Sequence, residues 1–394
     1  MNDKKRLAPG FLLGIMLMSM VAGAMCLNKV SPLLTYIISD MHLNGTSQGG
    51  LLISVFAISG IFLSLLIGVI MQTIGYYKTG MIALAAIILG SVIGAFNISF
   101  SVMLISRIIE GVGLIMLTTI GPAVVTRAFT GKNLGAAMGV LMCFMTIGQI
   151  IMLNLSPRIA EKSIWRNVWW ITAIYAFVLL ILWFISLKNL DKMMGLDTKE
   201  KAKSLLLPTA VLANKKIWCI GLTFMLYLIA QQGVIAFLPT YLVTQRGISS
   251  GMAGSMVSIA SVVGIPTAIL TGVISDKINS RKKLIVGLLM ASAIVYAVMP
   301  FFPTNLYGVI IAAYGVSVMG IVGLCMSAAS ELVAPEYGGM TVAFMNTMQW
   351  IGIFLSSSVF GTIISRVGYT NAFLILVPET IIAALLTAII KGLK

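Results

Sequence analysis

Apolar runs of roughly 18 residues or more recur along the whole chain, and no other feature limits its fold so sharply. Such a run crosses a hydrocarbon core of roughly 30 Å as a helix, because in lipid each segment must satisfy its own backbone polar groups. Twelve spans are expected, at about 11–38, 49–71, 79–97, 100–125, 134–155, 167–187, 217–242, 251–274, 284–302, 306–330, 340–364 and 372–390. The fold class that follows is an all-α polytopic membrane protein. Charged residues are 9% of the sequence, against about 25% in soluble domains.

The net charge of +15 would suit nucleic acid or a membrane surface, but its placement reads as topology. With a cytoplasmic amino terminus, nineteen Lys and Arg fall in inner segments and five in outer ones, and Lys29 and Arg107, both inside spans, complete the 26. That asymmetry puts both termini in the cytoplasm. A multi-pass protein of a bacterial-type inner membrane is expected, with membrane lipids and no nucleic acid as partners. Lys4, Lys5, Arg6 and the small residues Ala22-Gly23-Ala24 imitate a signal peptide, but the apolar run continues past them and cleavage would leave an odd number of spans.

The one long polar stretch, Lys188 to Lys216, divides the spans six and six. The expected domains are 1–187, a cytoplasmic linker 188–216 with some amphipathic helix near 197–206, and 217–394. A shift of 204 positions brings Gly68 onto Gly272, Gly111 onto Gly315, Gly135 onto Gly339 and Gly148 onto Gly352. Two six-span halves related in this way are a transporter architecture, with the binding site between them near the midplane.

The stretch Leu27-Asn28-Lys29-Val30-Ser31-Pro32 puts a lysine inside span one. A charge there costs roughly 2.5–3.5 kcal/mol on insertion scales and by default faces a cavity or a partner. Snorkelling toward the outer interface is the alternative. In span four, Arg107 and Glu110 stand three apart, share a helix face and can pair. Cys26, Cys143, Cys219 and Cys325 lie in apolar runs without paired spacing, as buried small hydrophobes do. His42, the only histidine, lies in an outer loop. Nucleotide loops, metal clusters and nucleophile–histidine pairs are absent from the sequence, so no cofactor and no enzymatic activity are expected.

The loop after span eight, Gly272-Val273-Ile274-Ser275-Asp276-Lys277, resembles the Gly-x-x-x-Asp-Arg/Lys signature of the major facilitator superfamily. Arg107 to Gly111 is similar to its Arg-x-x-x-Gly pattern in span four. The matching first-half loop begins at Gly68 but carries Gln72 where the family has aspartate. The resemblance implies two pseudo-symmetric six-helix bundles that rock about a central cavity lined by spans one, four, seven and ten. It also implies an inner gate of Gly68, Gly272, Asp276, Lys277 and Arg281. Span five lacks the Gly-Pro pair of the family's drug–proton antiporters, and span one has no acidic residue in its apolar interior, which argues against cation efflux. Asn28 to Leu34 looks similar to the cyanate-permease-like branch and neighbouring organic-anion carriers.

At 1.5 Å per helical residue, Lys29 and Arg107 lie about 12–13 Å below the outer end of their spans, Gln231 and Gln232 about 15–16 Å and Tyr314 about 12–13 Å. All approach a midplane near 15 Å. Two positive charges at one level suit an anion. The expected substrate contacts are therefore Lys29, Arg107, Asn28, Gln231, Gln232, Tyr227, Tyr314, Asn346 and Trp350, although packing between helices is the commoner role for the last four. Glu110 is the candidate for coupled protonation, with protons as the coupling ion; permanent pairing with Arg107 would instead favour anion exchange or uniport. The function expected is secondary active transport of a small anion by alternating access. The alternatives are a neutral or amphipathic substrate, with Lys29 and Arg107 structural, and a membrane-embedded enzyme or sensor. Glu379, in span twelve beside Pro378, is expected in a structural pair or as a helix-break partner.

Overall fold

The computed structural model describes residues 8–64, 66–96, 99–129, 132–193, 213–278, 280–333, 338–390 and 393. Among these residues the secondary structure is helical, without strands. Eleven segments are long and apolar enough to cross a membrane. The last, Thr341–Ala388, has 48 residues, about 72 Å of helix and more than twice a hydrocarbon core. It is two spans joined at Gly368, whose φ of +80° interrupts the helix. Twelve spans result, in two six-helix bundles. We call the side where span one begins and span twelve ends the inner side.

Three expected spans differ in detail. Span one covers Pro9–Asp40, but its α-helix stops at Asn28, a 3-10 turn follows at Ser31–Leu33, and a second helix runs Leu34–Asp40. Pro32 offers no N–H and clashes with the preceding turn. Span two runs Gly45–Leu63 rather than 49–71; the helix resumes at Ile67 and bends again at Gly75, where φ is +87°. Span five extends outward to Lys162 past Pro157, so Arg158 and Lys162 ride on helix rather than loop. The linker helix expected near 197–206 lies outside the described residues.

The repeat is visible in the packing. A Cβ on Gly111 would strike Phe56 and Ser59 of span two, and one on Gly315 would strike the backbone of Ala260 in span eight. The same contact is thus made in each half, span four on two and span ten on eight. Gly148 lies against the backbone of Ala24 in span one, and Gly352 against Met225 in span seven. Small residues let helix backbones approach where lipid gives no hydrophobic drive for association. Gly135 and Gly272 behave differently: nothing lies within 4 Å of a Cβ built on either.

The loop between spans two and three has its own device. Asp191, just beyond span six, accepts hydrogen bonds from the backbone N–H groups of Tyr76 at 2.6 Å and Tyr77 at 3.2 Å. Its carboxylate also stands against Gly75. An acid is thus supplied to the start of span three by the linker, in a loop whose own sequence has Gln72.

Candidate functional site

Span one sets the geometry of the first half. Its last regular bond runs from the Lys29 N–H to the Met25 carbonyl, and the break leaves the next carbonyls, those of Cys26 and Leu27, to find donors elsewhere. Arg107 supplies them: Nη1 donates to Cys26 O at 2.6 Å and Nη2 to Leu27 O at 3.3 Å. Nε donates to Leu52 O of span two at 3.3 Å, and the guanidinium lies 4.7 Å from the Phe56 ring centre.

Glu110 joins both cations. Its Oε2 lies 2.5 Å from Arg107 Nη1 and its Oε1 2.6 Å from Lys29 Nζ. Ser91 of span three donates to Oε1 at 2.6 Å. Lys29 also donates to Thr172 of span six at 3.0 Å and to Ser91 at 3.3 Å, and lies 4.5 Å from the Trp169 ring centre. Lys29, Arg107 and Glu110 have 0% exposure. The lysine therefore does not snorkel. Spans one, two, three, four and six enclose two cations and one carboxylate, a net charge of +1 out of contact with water.

In the second half the expected contacts are mostly engaged with one another. Tyr227 donates to Val318 O and Tyr314 to Gln231 O, each at 2.8 Å, a reciprocal clasp of spans seven and ten. Both tyrosines are buried. The side-chain amides of Gln231 and Gln232 make no hydrogen bond among the described residues, and Gln231 is 7% exposed. Asn346 is half-buried. Asn28 turns its amide back to Ala24 O at 2.8 Å. The expectation that Lys29 and Arg107 meet Gln231, Gln232 and Tyr314 around one open cavity is thus not the arrangement seen: the cations point into the first bundle, because broken backbone and Glu110 take their donors. Glu379 is half-buried and makes no ion pair among the described residues.

The halves meet on the outer side. Ser31 donates to the carbonyls of Ile235 at 3.0 Å and Ala236 at 2.7 Å. Spans two and eleven are joined by Thr46 to Gly361 O at 2.9 Å, Ser47 to Thr362 at 3.2 Å and Ser54 to Ser358 at 2.5 Å. Spans five and eight are joined by Glu161 to the Gly251 N–H at 2.8 Å, Asn154 to Ser255 at 2.8 Å and Gln149 to Ser261 at 3.0 Å. Trp350 lies below these, its indole against Gly60 of the other half, where a Cβ would collide with the ring. Among the described residues no hydrogen bond or ion pair joins the halves farther inward. The polar contacts between the halves are thus gathered on the outer side.

At the inner side Arg281 Nε lies 2.7 Å from Glu331 Oε1. Lys277 is exposed and Gly272 opens onto free space. The side chain of Asp276, the expected latch, lies outside the described residues, as does the packing of Gly68.

Sequence reasoning missed Ser91, Thr172 and Trp169, the residues that complete the lysine's shell, and the polar rungs of the outer closure. Single hydroxyls in apolar runs carry no local signal; only a partner across the bundle distinguishes them.

A family model described as Major Facilitator Superfamily matches residues 11–357. The chain is similar to the glycerol-3-phosphate transporter of Bacillus subtilis, with 22% identity over 280 residues, 65% of this chain and 60% of that one. It is 25% identical over 227 residues to a phosphoglycerate transporter protein of Salmonella typhimurium, covering 52% of this chain and 49% of that one. The chain thus spans about half to three fifths of these relatives. A cyanate transport protein of Escherichia coli is 22% identical over 71% of each chain. In fold, a bacterial homolog of the human lysosomal transporter Spinster, solved inward-facing and occupied, superposes with a TM-score of 0.78 at 15% identity over 98% of this chain and 97% of that one.

Proposed function

From the premise that this chain belongs to the major facilitator superfamily, we propose that it is a secondary transporter of a small anion, working by alternating access in a bacterial inner membrane with both termini in the cytoplasm. The observation that carries this reading is the uncompensated charge in the first bundle: Lys29 and Arg107 share the single carboxylate of Glu110, all three without exposure. A fixed +1 in a low-dielectric bundle favours an anion in the adjoining space between the halves, since charge is weakly screened there. The printed names of relatives lend support, being transporters of glycerol-3-phosphate, phosphoglycerate and cyanate.

In this reading the domains are 1–187 and 217–394. Gln231 and Gln232, with amides unengaged among the described residues, and Asn346 supply hydrogen bonds to the anion. Trp350 seated on Gly60 forms the boundary between the closed outer half and the inner opening. Glu110 is held by two cations and a serine, which favours exchange or uniport over proton symport. Asp276, Lys277 and Arg281 belong to the inner gate.

A second reading has a specific observation behind it. The donors of Lys29 and Arg107 are committed to protein groups, which suits a neutral substrate with the cations as scaffold. One experiment decides between the two. Purified protein in liposomes, with no pH gradient and the membrane potential clamped at zero, is loaded with small oxyanions or matched neutral analogues and tested for trans-stimulated uptake. The anion reading expects anions to exchange and neutral analogues not to compete. Transport of the neutral compounds alone would sink it.

A further inference from the structure

On the inner side of the second bundle a cavity of about 250 Å³ lies between spans eight, nine and ten. Its walls include Gly272 and Ser275 from span eight, Arg281 from the start of span nine, and Gly323 and Ser327 from span ten. A Cβ on Gly272 or Gly323 would meet nothing within 4 Å, so the cavity reaches their backbones. Its volume is below the roughly 300–1,000 Å³ of pockets for drug-sized ligands, which fits a small group rather than an extended molecule.

The lining is chemically biased. Ser275 is 2% exposed and its hydroxyl has no hydrogen-bond partner, an arrangement that normally implies a missing one. Arg281 lines the cavity, and its Nε lies 2.7 Å from Glu331 Oε1. Span nine, Arg281–Val298, begins here, and Ser280 Oγ takes only one of its first N–H groups, that of Lys283, at 3.5 Å. Helix starts leave such groups unsatisfied and attract anions. The neighbouring sequence holds Lys277, Lys282 and Lys283 besides Arg281, against Asp276 and Glu331.

We propose that this cavity binds a phosphate group, held by Arg281 Nη groups, the Ser275 hydroxyl and the first N–H groups of span nine. It is separate from the midplane network and is occupied while the transporter is open to the inner side. A free phosphate and the headgroup of an anionic lipid present the same chemistry. Glu331 competes with the phosphate for Arg281.

The test is a melting-temperature titration of the full chain in lipid-free detergent. One arm uses inorganic phosphate against chloride at matched ionic strength; the other uses short-chain phosphatidic acid against phosphatidylcholine. A ligand of the folded state raises Tm by mass action. Wild type responds in at least one arm, and the responding arm names the source. Arg281→Gln weakens binding by roughly tenfold or more, the usual consequence of losing a charged hydrogen bond. Gly323→Leu fills the cavity, leaves every charge in place and abolishes the response, so the proposal stays testable should Arg281→Gln not fold. Glu331→Gln tightens binding. No response in either arm overturns the proposal. A response equal in wild type and Gly323→Leu also overturns it by placing the anion elsewhere.

Discussion

Arg107 Nη1 lies 2.6 Å from the carbonyl oxygen of Cys26, and with this contact an intramembrane arginine completes the hydrogen bonding of a helix that a proline has interrupted. The same nitrogen holds Glu110. The residue is therefore both a cap and half of an ion pair.

Arg107→Lys tests that double duty. A lysine keeps the charge but cannot present a fork to two carbonyls and a carboxylate. The expected loss is about 2–4 kcal/mol of stability, between the removal of buried hydrogen bonds and the breaking of a buried pair. It would be read as a lowered Tm in detergent. An unchanged Tm with transport abolished would mean that Arg107 contacts substrate instead.

Lys29 and Glu110 are 2.6 Å apart and unexposed, so their energies should not add. Glu110→Gln strands two cations and is expected to cost about 3–5 kcal/mol, whereas Lys29→Gln leaves Arg107 and Glu110 as a balanced pair and should cost less. The double variant should recover at least about 1 kcal/mol of the summed single losses. Strict additivity would show that the contact carries no energy.

Ser54 and Ser358 approach to 2.5 Å across the halves. Replacing both with cysteine places two thiols where a disulfide is sterically accessible. Oxidation is expected to hold the outer side closed and stop exchange, and reductant to restore it. The single Cys variants, which retain the four native cysteines, control for other pairings. Full exchange in the cross-linked protein would mean that spans two and eleven need not part.

Asp191 caps the start of span three from the linker. Asp191→Asn removes the charge facing a helix N-terminus and is expected to cost about 0.5–1 kcal/mol. Asp191→Ala should cost about 1–2 kcal/mol, since the Tyr76 and Tyr77 N–H groups then lose their acceptor. Equal Tm values for wild type and Asp191→Ala would show that the cap is not needed.

Much of the architecture was legible in the chain itself. Twelve spans and the two-half repeat follow from run length and glycine spacing, because the bilayer imposes a fixed helix length and small residues mark close helix contacts. Gly111 with Gly315 and Gly148 with Gly352 make matching contacts, as the 204-residue shift implied. The pairing of Arg107 with Glu110 was likewise readable from a three-residue spacing on one helix face.

Tertiary structure alone decided which way the charges point. Depth along a helix locates Lys29 near the midplane, but its rotation is set by Ser91, Glu110, Trp169 and Thr172, drawn from three other spans. Whether a charge faces a cavity or a bundle depends on where its compensating partners stand, and those partners lie 62 to 143 residues away in sequence. The same holds for the outer side, whose rungs pair residues from opposite halves. A sequence fixes the length and faces of each helix through the solvent it must cross; the packing of all twelve assigns a partner to each face.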